Sequence, residues 1–156
     1  MAPGVNRNPS DMAPERRREA MGLLAKATRS ELEQAWTGLA SRPEAELVRG
    51  PETGLVMVRG RIGGGGQPFN LGEVTAARAS VRIEGVVGHG QALGTDGEKA
   101  RLAAVFDAML QLPGHAPAVE RLLAGIAARI EADDARKVRE TAATRVDFFT
   151  MVRGDD

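Results

Sequence analysis

Leu55-Val56-Met57-Val58-Arg59-Gly60-Arg61-Ile62 is the stretch that decides the fold. Val56, Val58 and Ile62 fall on one face of an extended chain, and Leu55, Met57, Arg59 and Arg61 fall on the other. A period of two predicts a half-buried strand, because successive side chains of a strand point to opposite faces. The pattern returns at Val81 and Ile83, which oppose Arg78 and Arg82. Val86 to Leu93 supplies a further strand. Gly63-Gly64-Gly65-Gly66 separates the first strand from Pro68-Phe-Asn-Leu-Gly-Glu73. Such short spacings predict antiparallel pairing, since parallel strands need long crossovers.

Helices flank this sheet in the sequence. Pro14 suits a helix opening, where its missing N–H costs nothing, and Met21, Leu24 and Ala27 form a stripe behind it. Ser30 and Glu33 match the capping-box pattern of a second helix. Leu32, Ala35, Trp36, Leu39 and Ala40 follow at helical spacing, and Pro43 closes the element. Beyond the sheet, helix returns at Thr95 or Asp96. Leu102, Val105, Phe106, Met109 and Leu110 give its apolar stripe, and Pro113-Gly114 stops it. The next helix starts at about Pro117 and aligns Val119, Leu122, Leu123, Ile126 and Ile130. Two readings of its end stay open: a break at Asp133-Asp134, or continuation to about Thr144 with Asp133 and Lys137 paired.

The last residues turn back to strand character. Arg145, Asp147 and Arg153 bracket Phe148, Phe149 and Met151, which predicts a segment buried against a sheet edge or a partner. The expected fold class is α+β. It comprises an N-terminal helical pair, a central antiparallel sheet, two C-terminal helices and a terminal strand. Residues 1–13 read as a disordered tail, and 14–156 as one domain.

Composition narrows the chemistry. A formal net charge of zero over 156 residues disfavours nucleic-acid and polybasic membrane partners. The absence of cysteine excludes disulfides, thiolate metal sites, cluster ligation and a cysteine nucleophile. No apolar run reaches membrane-span length and no signal peptide opens the chain, so a cytoplasmic location is expected. There are two histidines, His89 and His115, whereas a catalytic zinc takes three protein ligands; carboxylates could complete such a site, but no helical i,i+4 pair points to one. No catalytic residue is assigned.

Four features remain as anion candidates, each with a plainer alternative. Gly63, Gly64 and Gly66 could cradle a phosphate with backbone N–H groups, or simply form a flexible hairpin connection. No P-loop lysine follows them. Gly88-His-Gly-Gln-Ala-Leu-Gly94 lacks the spacing and the parallel unit of a dinucleotide site and reads as a glycine-kinked strand. His89 within it could contact phosphate or act as an acid, whereas His115 reads as a loop residue. Arg59 and Arg61 share one strand face, as do Arg78 and Arg82. Aligned, they would gather four guanidinium groups suited to phosphate or phosphonate; alternatively Glu52, Glu73 or Glu84 pairs with them, or they line an interface. Arg16-Arg17-Arg18 reads as a solvated helix face.

Four stretches carry a family resemblance. They are Glu52-Thr-Gly-Leu-Val56, Arg61 with the glycine run and Pro68 to Glu73, the Gly94 turn into the Asp107-Ala108 helix, and Arg145 to Asp155. Together they resemble PhnG, a subunit family of the carbon–phosphorus lyase system. Gly65 departs from the usual Thr, and Thr95-Asp-Gly97 is looser than the family turn. The resemblance implies an accessory or scaffold subunit, inactive alone, of a core complex with PhnH, PhnI and PhnJ, with PhnL functionally associated. That complex transfers an alkylphosphonate to the ribose C1 of ATP and releases adenine. ATP is then a substrate of the complex, while an iron–sulfur cluster and S-adenosylmethionine belong to another subunit and no cofactor to this chain. The alternative is direct binding of triphosphate or phosphonate by the Gly63–Gly66 loop and the Arg59, Arg61, Arg78 and Arg82 face. An isolated copy is expected to self-associate.

Overall fold

A computed structural model describes residues 12–61 and 65–143. The element order is α1 (Pro14–Lys26), α2 (Arg29–Thr37), β1 (Glu46–Arg61), β2 (Pro68–Ile83), β3 (Val86–Leu93), α3 (Gly97–Leu110) and α4 (Ala116–Ala143). The expected α+β class and its antiparallel sheet are found, with strand order β1-β2-β3. The expected terminal strand, with Arg145, Asp147, Phe148, Phe149, Met151 and Arg153, lies outside the described residues, as do Gly63 and Gly64.

α1 opens at Pro14 as expected and buries Ala20 and Leu24. The cap of α2 differs from expectation. Thr28 is the N-cap, accepting from the Glu31 N–H at 3.2 Å, while Glu31 Oε2 accepts from the Thr28 N–H at 2.7 Å. The same Ser/Thr-x-x-Glu pattern occurs twice, two residues apart, and the end of α1 at Lys26 selects the earlier copy. Ser30 instead accepts from Gln34, and Glu33 pairs with Arg29. α2 also ends at Thr37, not at Pro43. Gly38 caps it by donating to the Gln34 carbonyl.

The strands are longer than their alternation shows. β1 begins at Glu46, but register shifts around Arg49 and Glu52 break the period-two pattern before Leu55. β2 is one strand of 16 residues, joining segments that read as separate. A two-residue turn, Glu84-Gly85 with φ of 48° and 81°, connects it to β3. Positive φ at both positions matches the twist of a tight hairpin.

One sheet face is covered by α3, whose Asp96 N-cap accepts from the Lys99 N–H at 2.9 Å. Ala77, Ala79, Val81 and Ile83 of β2 and Ala92 of β3 are buried beneath it. Gly88 and Gly90 explain how close the helix comes. A Cβ on Gly88 would collide with the Ala104 carbonyl and the Ala108 amide; one on Gly90 would collide with the Ala100 carbonyl and the Ala104 amide. Ala100, Ala104 and Ala108 recur every four residues, so a small-residue stripe rests directly on a glycine strand. Gly88 and Gly90 are therefore a packing device, whereas Gly94, with φ of 86°, serves the turn into α3.

α1, α2 and α4 wrap the other side of α3, which is why Leu102, Phe106 and Met109 are almost wholly buried. α4 continues through Asp133-Asp134. Arg129 and Arg136 pair with Asp133, and Lys137 pairs with Asp134 rather than Asp133. Only its first half buries Val119, Leu123 and Ile126; residues 134–143 are exposed. Arg129 reaches back to Glu31 at 2.6 Å and ties α4 to the α2 cap. That guanidinium hydrogen bond, ahead of those from Thr28, holds the Glu31 carboxyl below its ordinary pKa.

Candidate functional site

Two regions stand out: a projecting hairpin arm and a basic groove. The arm follows from strand lengths. β3 pairs with β2 only from Ala76 to Ile83. Beyond that point β1 and β2 continue as a two-stranded ribbon, Leu55–Arg61 against Pro68–Thr75. At a rise of about 3.3 Å per residue, its seven β1 residues span roughly 23 Å. Leu55 (66% exposed), Met57, Val56, Phe69, Leu71 (61%) and Val74 are all exposed there. Leu55 and Met57 point one way and Val56 the other, so both faces of the ribbon are apolar and open. Arg59 and Arg61 lie at the arm's end, where Arg59 approaches Asn70 Oδ1 at 3.4 Å.

The register divides the four arginines of the expected anion face. Arg59 is opposite Asn70, whereas Arg78 lies eight residues further along β2, roughly 26 Å away at ordinary strand rise. Arg78 bonds Glu52 at 3.3 Å and Arg82 bonds Glu46 at 3.0 Å. Arg78 thus takes the Glu52 partner that the sequence offered as its alternative, and Arg82 takes a glutamate that the sequence did not single out. Gly65 and Gly66, the described part of the glycine run, sit in the turn beyond the arm, far along the ribbon from Arg78.

The groove lies on the sheet face opposite α3, beside α1. His89, on β3, is its centre. The Ser80 hydroxyl and His89 Nδ1 are 2.8 Å apart, and the His89 backbone N–H donates to Asp107 Oδ2 at 2.8 Å. Asp107 is fully buried on α3. Arg17 bonds it with both branches of its fork, Nε to Oδ1 at 3.0 Å and Nη2 to Oδ2 at 2.7 Å. The hydrogen bond to Asp107 raises the Arg17 pKa above its ordinary value, against the opposing effect of burial. Arg17 is therefore not part of a solvated helix face. It pins α1 to α3 and β3, while neighbouring Arg16 pairs with Glu120. The sequence signal was an aspartate on the apolar side of α3, which had to find a cation.

A serine hydroxyl against an imidazole is half of an activated nucleophile. Here the nearby carboxylate holds the histidine backbone and not its ring, so the contact orients His89 without completing a triad. His115, in the turn before α4, meets Glu84 at 3.3 Å. Among the described residues no group of three or more His, Asp or Glu side chains could hold a metal, and no helix is long and apolar enough to cross a membrane.

Comparison with known proteins places these features in a family context. Residues 15–154 match the family described as phosphonate metabolism protein PhnG. The chain is also 64% identical, over 141 residues, to the alpha-D-ribose 1-methylphosphonate 5-triphosphate synthase subunit PhnG of Rhizobium meliloti (strain 1021). That alignment covers 90% of this chain and 90% of its relative.

Proposed function

The chain belongs to the PhnG family of phosphonate metabolism proteins, and we propose that it is a docking subunit of a ribose 1-methylphosphonate 5-triphosphate synthase. Its partners are those the resemblance implies: PhnH, PhnI and PhnJ in a core complex, with PhnL associated. It supports transfer of an alkylphosphonate to the ribose C1 of ATP and has no turnover alone.

The observation that carries this reading is the hairpin arm. A two-stranded ribbon without a covered face is marginal in water. This one is apolar on both faces, and no helix among the described residues packs along it. Covering the exposed half of one Leu or Met contributes about 1 kcal/mol. Six exposed apolar side chains, three of them Leu or Met, give a partner ample reason to close on the arm, and Arg59 and Arg61 at its end can pair with acidic groups there.

Leu55→Asp combined with Leu71→Asp tests the proposal. Both side chains are mostly solvent-exposed, so the variant keeps its fold and melting temperature. Co-expressed with PhnH, PhnI and PhnJ, it fails to co-purify. Normal assembly by this variant would overturn the docking role, and adenine release from ATP by the purified single chain would overturn its inactivity alone.

A further inference from the structure

We propose that the groove between α1 and the outer sheet face is a binding site for a phosphoryl or phosphonyl oxyanion, held by Arg18, Arg49, Arg78, His89 and Gln91. The groove has two adjoining parts that share Met21, His89 and Gln91. One part, of about 440 Å³, continues over Ser80 to Arg49, Arg78 and Glu52; the other opens toward Arg17 and Arg18.

Charge accumulates here on a chain whose net charge is zero. Arg17 is neutralised by Asp107 beneath it. Arg49 and Arg78 share a single carboxylate, Glu52, at 2.9 and 3.3 Å. Arg18 has no ion-pair partner among the described residues. Four guanidinium groups thus meet two carboxylates, and the surplus lies on the groove walls.

The donors are also arranged for a tetrahedral ligand. They arrive from α1 (Arg18), β1 (Arg49), β2 (Arg78) and β3 (His89, Gln91), so they approach from several directions. A planar carboxylate offers two oxygens in one plane; a phosphonate or terminal phosphate offers three around an axis. His89 completes the set. When Ser80 donates to Nδ1, the ring proton sits on Nε2, which has no other partner among the described residues and becomes a donor to the groove. Val48, Met21 and Val87 supply apolar wall beside these donors, where a ligand's carbon substituent can rest. The groove's sheet residues, Arg49, Arg78, His89 and Gln91, all lie outside the arm of Leu55–Arg61 and Pro68–Thr75, so the site and the docking role can fail separately.

Histidine-ring NMR on the full chain tests the site, with methylphosphonate and inorganic triphosphate titrated in separate arms. His115→Asn assigns the two ring signals. A saturable shift of the His89 signal with either probe is expected, with His115 unmoved. Methylphosphonate alone identifies a single phosphonyl group as ligand, and triphosphate alone a polyphosphate; both lie within the proposed class. Arg18→Ala, an exposed residue whose loss leaves the fold intact, weakens binding about tenfold. Glu52→Gln, which frees Arg49 and Arg78, strengthens it. No saturable shift, equal movement of both histidines, or affinities indifferent to Arg18→Ala and Glu52→Gln would each overturn the assignment.

Discussion

Replacing Asp107 with Ala probes how α1, α3 and β3 are locked together. The wild-type carboxylate is fully buried and accepts three hydrogen bonds: two from Arg17, at 3.0 and 2.7 Å, and one from the His89 N–H at 2.8 Å. Removing one side of a buried ion pair costs about 3–5 kcal/mol. The Arg17 side chain is 30% exposed and regains some water, which places the loss near the lower end, about 3 kcal/mol. The orphaned His89 N–H keeps it from falling much further. For a chain of this size each kcal/mol lowers the melting temperature by about 2–4 °C, so the midpoint should drop by about 9 °C. Calorimetry or circular dichroism measures this, with urea unfolding as an independent check. A double-mutant cycle with Arg17→Met should show coupling above about 1 kcal/mol. A loss below about 1 kcal/mol, the value of an exposed pair, would show that the Arg17–Asp107 pair does not lock these elements together.

Two further substitutions bear on the fold. Gly90→Ala drives a methyl group into the Ala100 and Ala104 backbone of α3, so it should destabilise by at least about 1–3 kcal/mol; a melting temperature equal to wild type would contradict the close packing of α3. Glu31 has a folded pKa held below its ordinary 4.5 by Arg129. Its contribution to stability is therefore complete above that value and lost as pH falls through the folded pKa. Glu31→Gln should lower stability at neutral pH, and its deficit should shrink in acid; a deficit independent of pH would argue against the ion pair.

Much of this architecture is legible from residue order. Pro14, the alternation after Leu55 and the stripe Leu102–Leu110 each encode a local period, and each element formed where its period indicated. Val86 and Leu93 even mark both ends of β3. Reading fails where the determinant is tertiary. Thr28-x-x-Glu31 and Ser30-x-x-Glu33 are equivalent caps until the end of α1 is fixed and Arg129 arrives from α4. The first half of β1 hides behind register shifts. Alternation also shows two faces without showing what covers them, so Leu55 and Val56 read as half-buried although the ribbon stands clear of the body. The site behaves likewise. Arg78 and His89 were identifiable as candidates, but strand register sent Arg59 and Arg61 to the far end of the arm. Arg18, Arg49 and Gln91, which sit beside His89, carry no sequence pattern that unites them. Arg17 looked like one of three solvated arginines because its partner is 90 residues away.

The docking role is tested most directly by hydrogen–deuterium exchange on the chain alone and within its assembled complex. Fast exchange along residues 55–61 and 68–75 is expected in the isolated protein, because a bare ribbon opens readily, with strong protection of those same amides on assembly. The helices should change little. Unaltered exchange along the arm in a complex that has demonstrably formed would contradict docking through the ribbon.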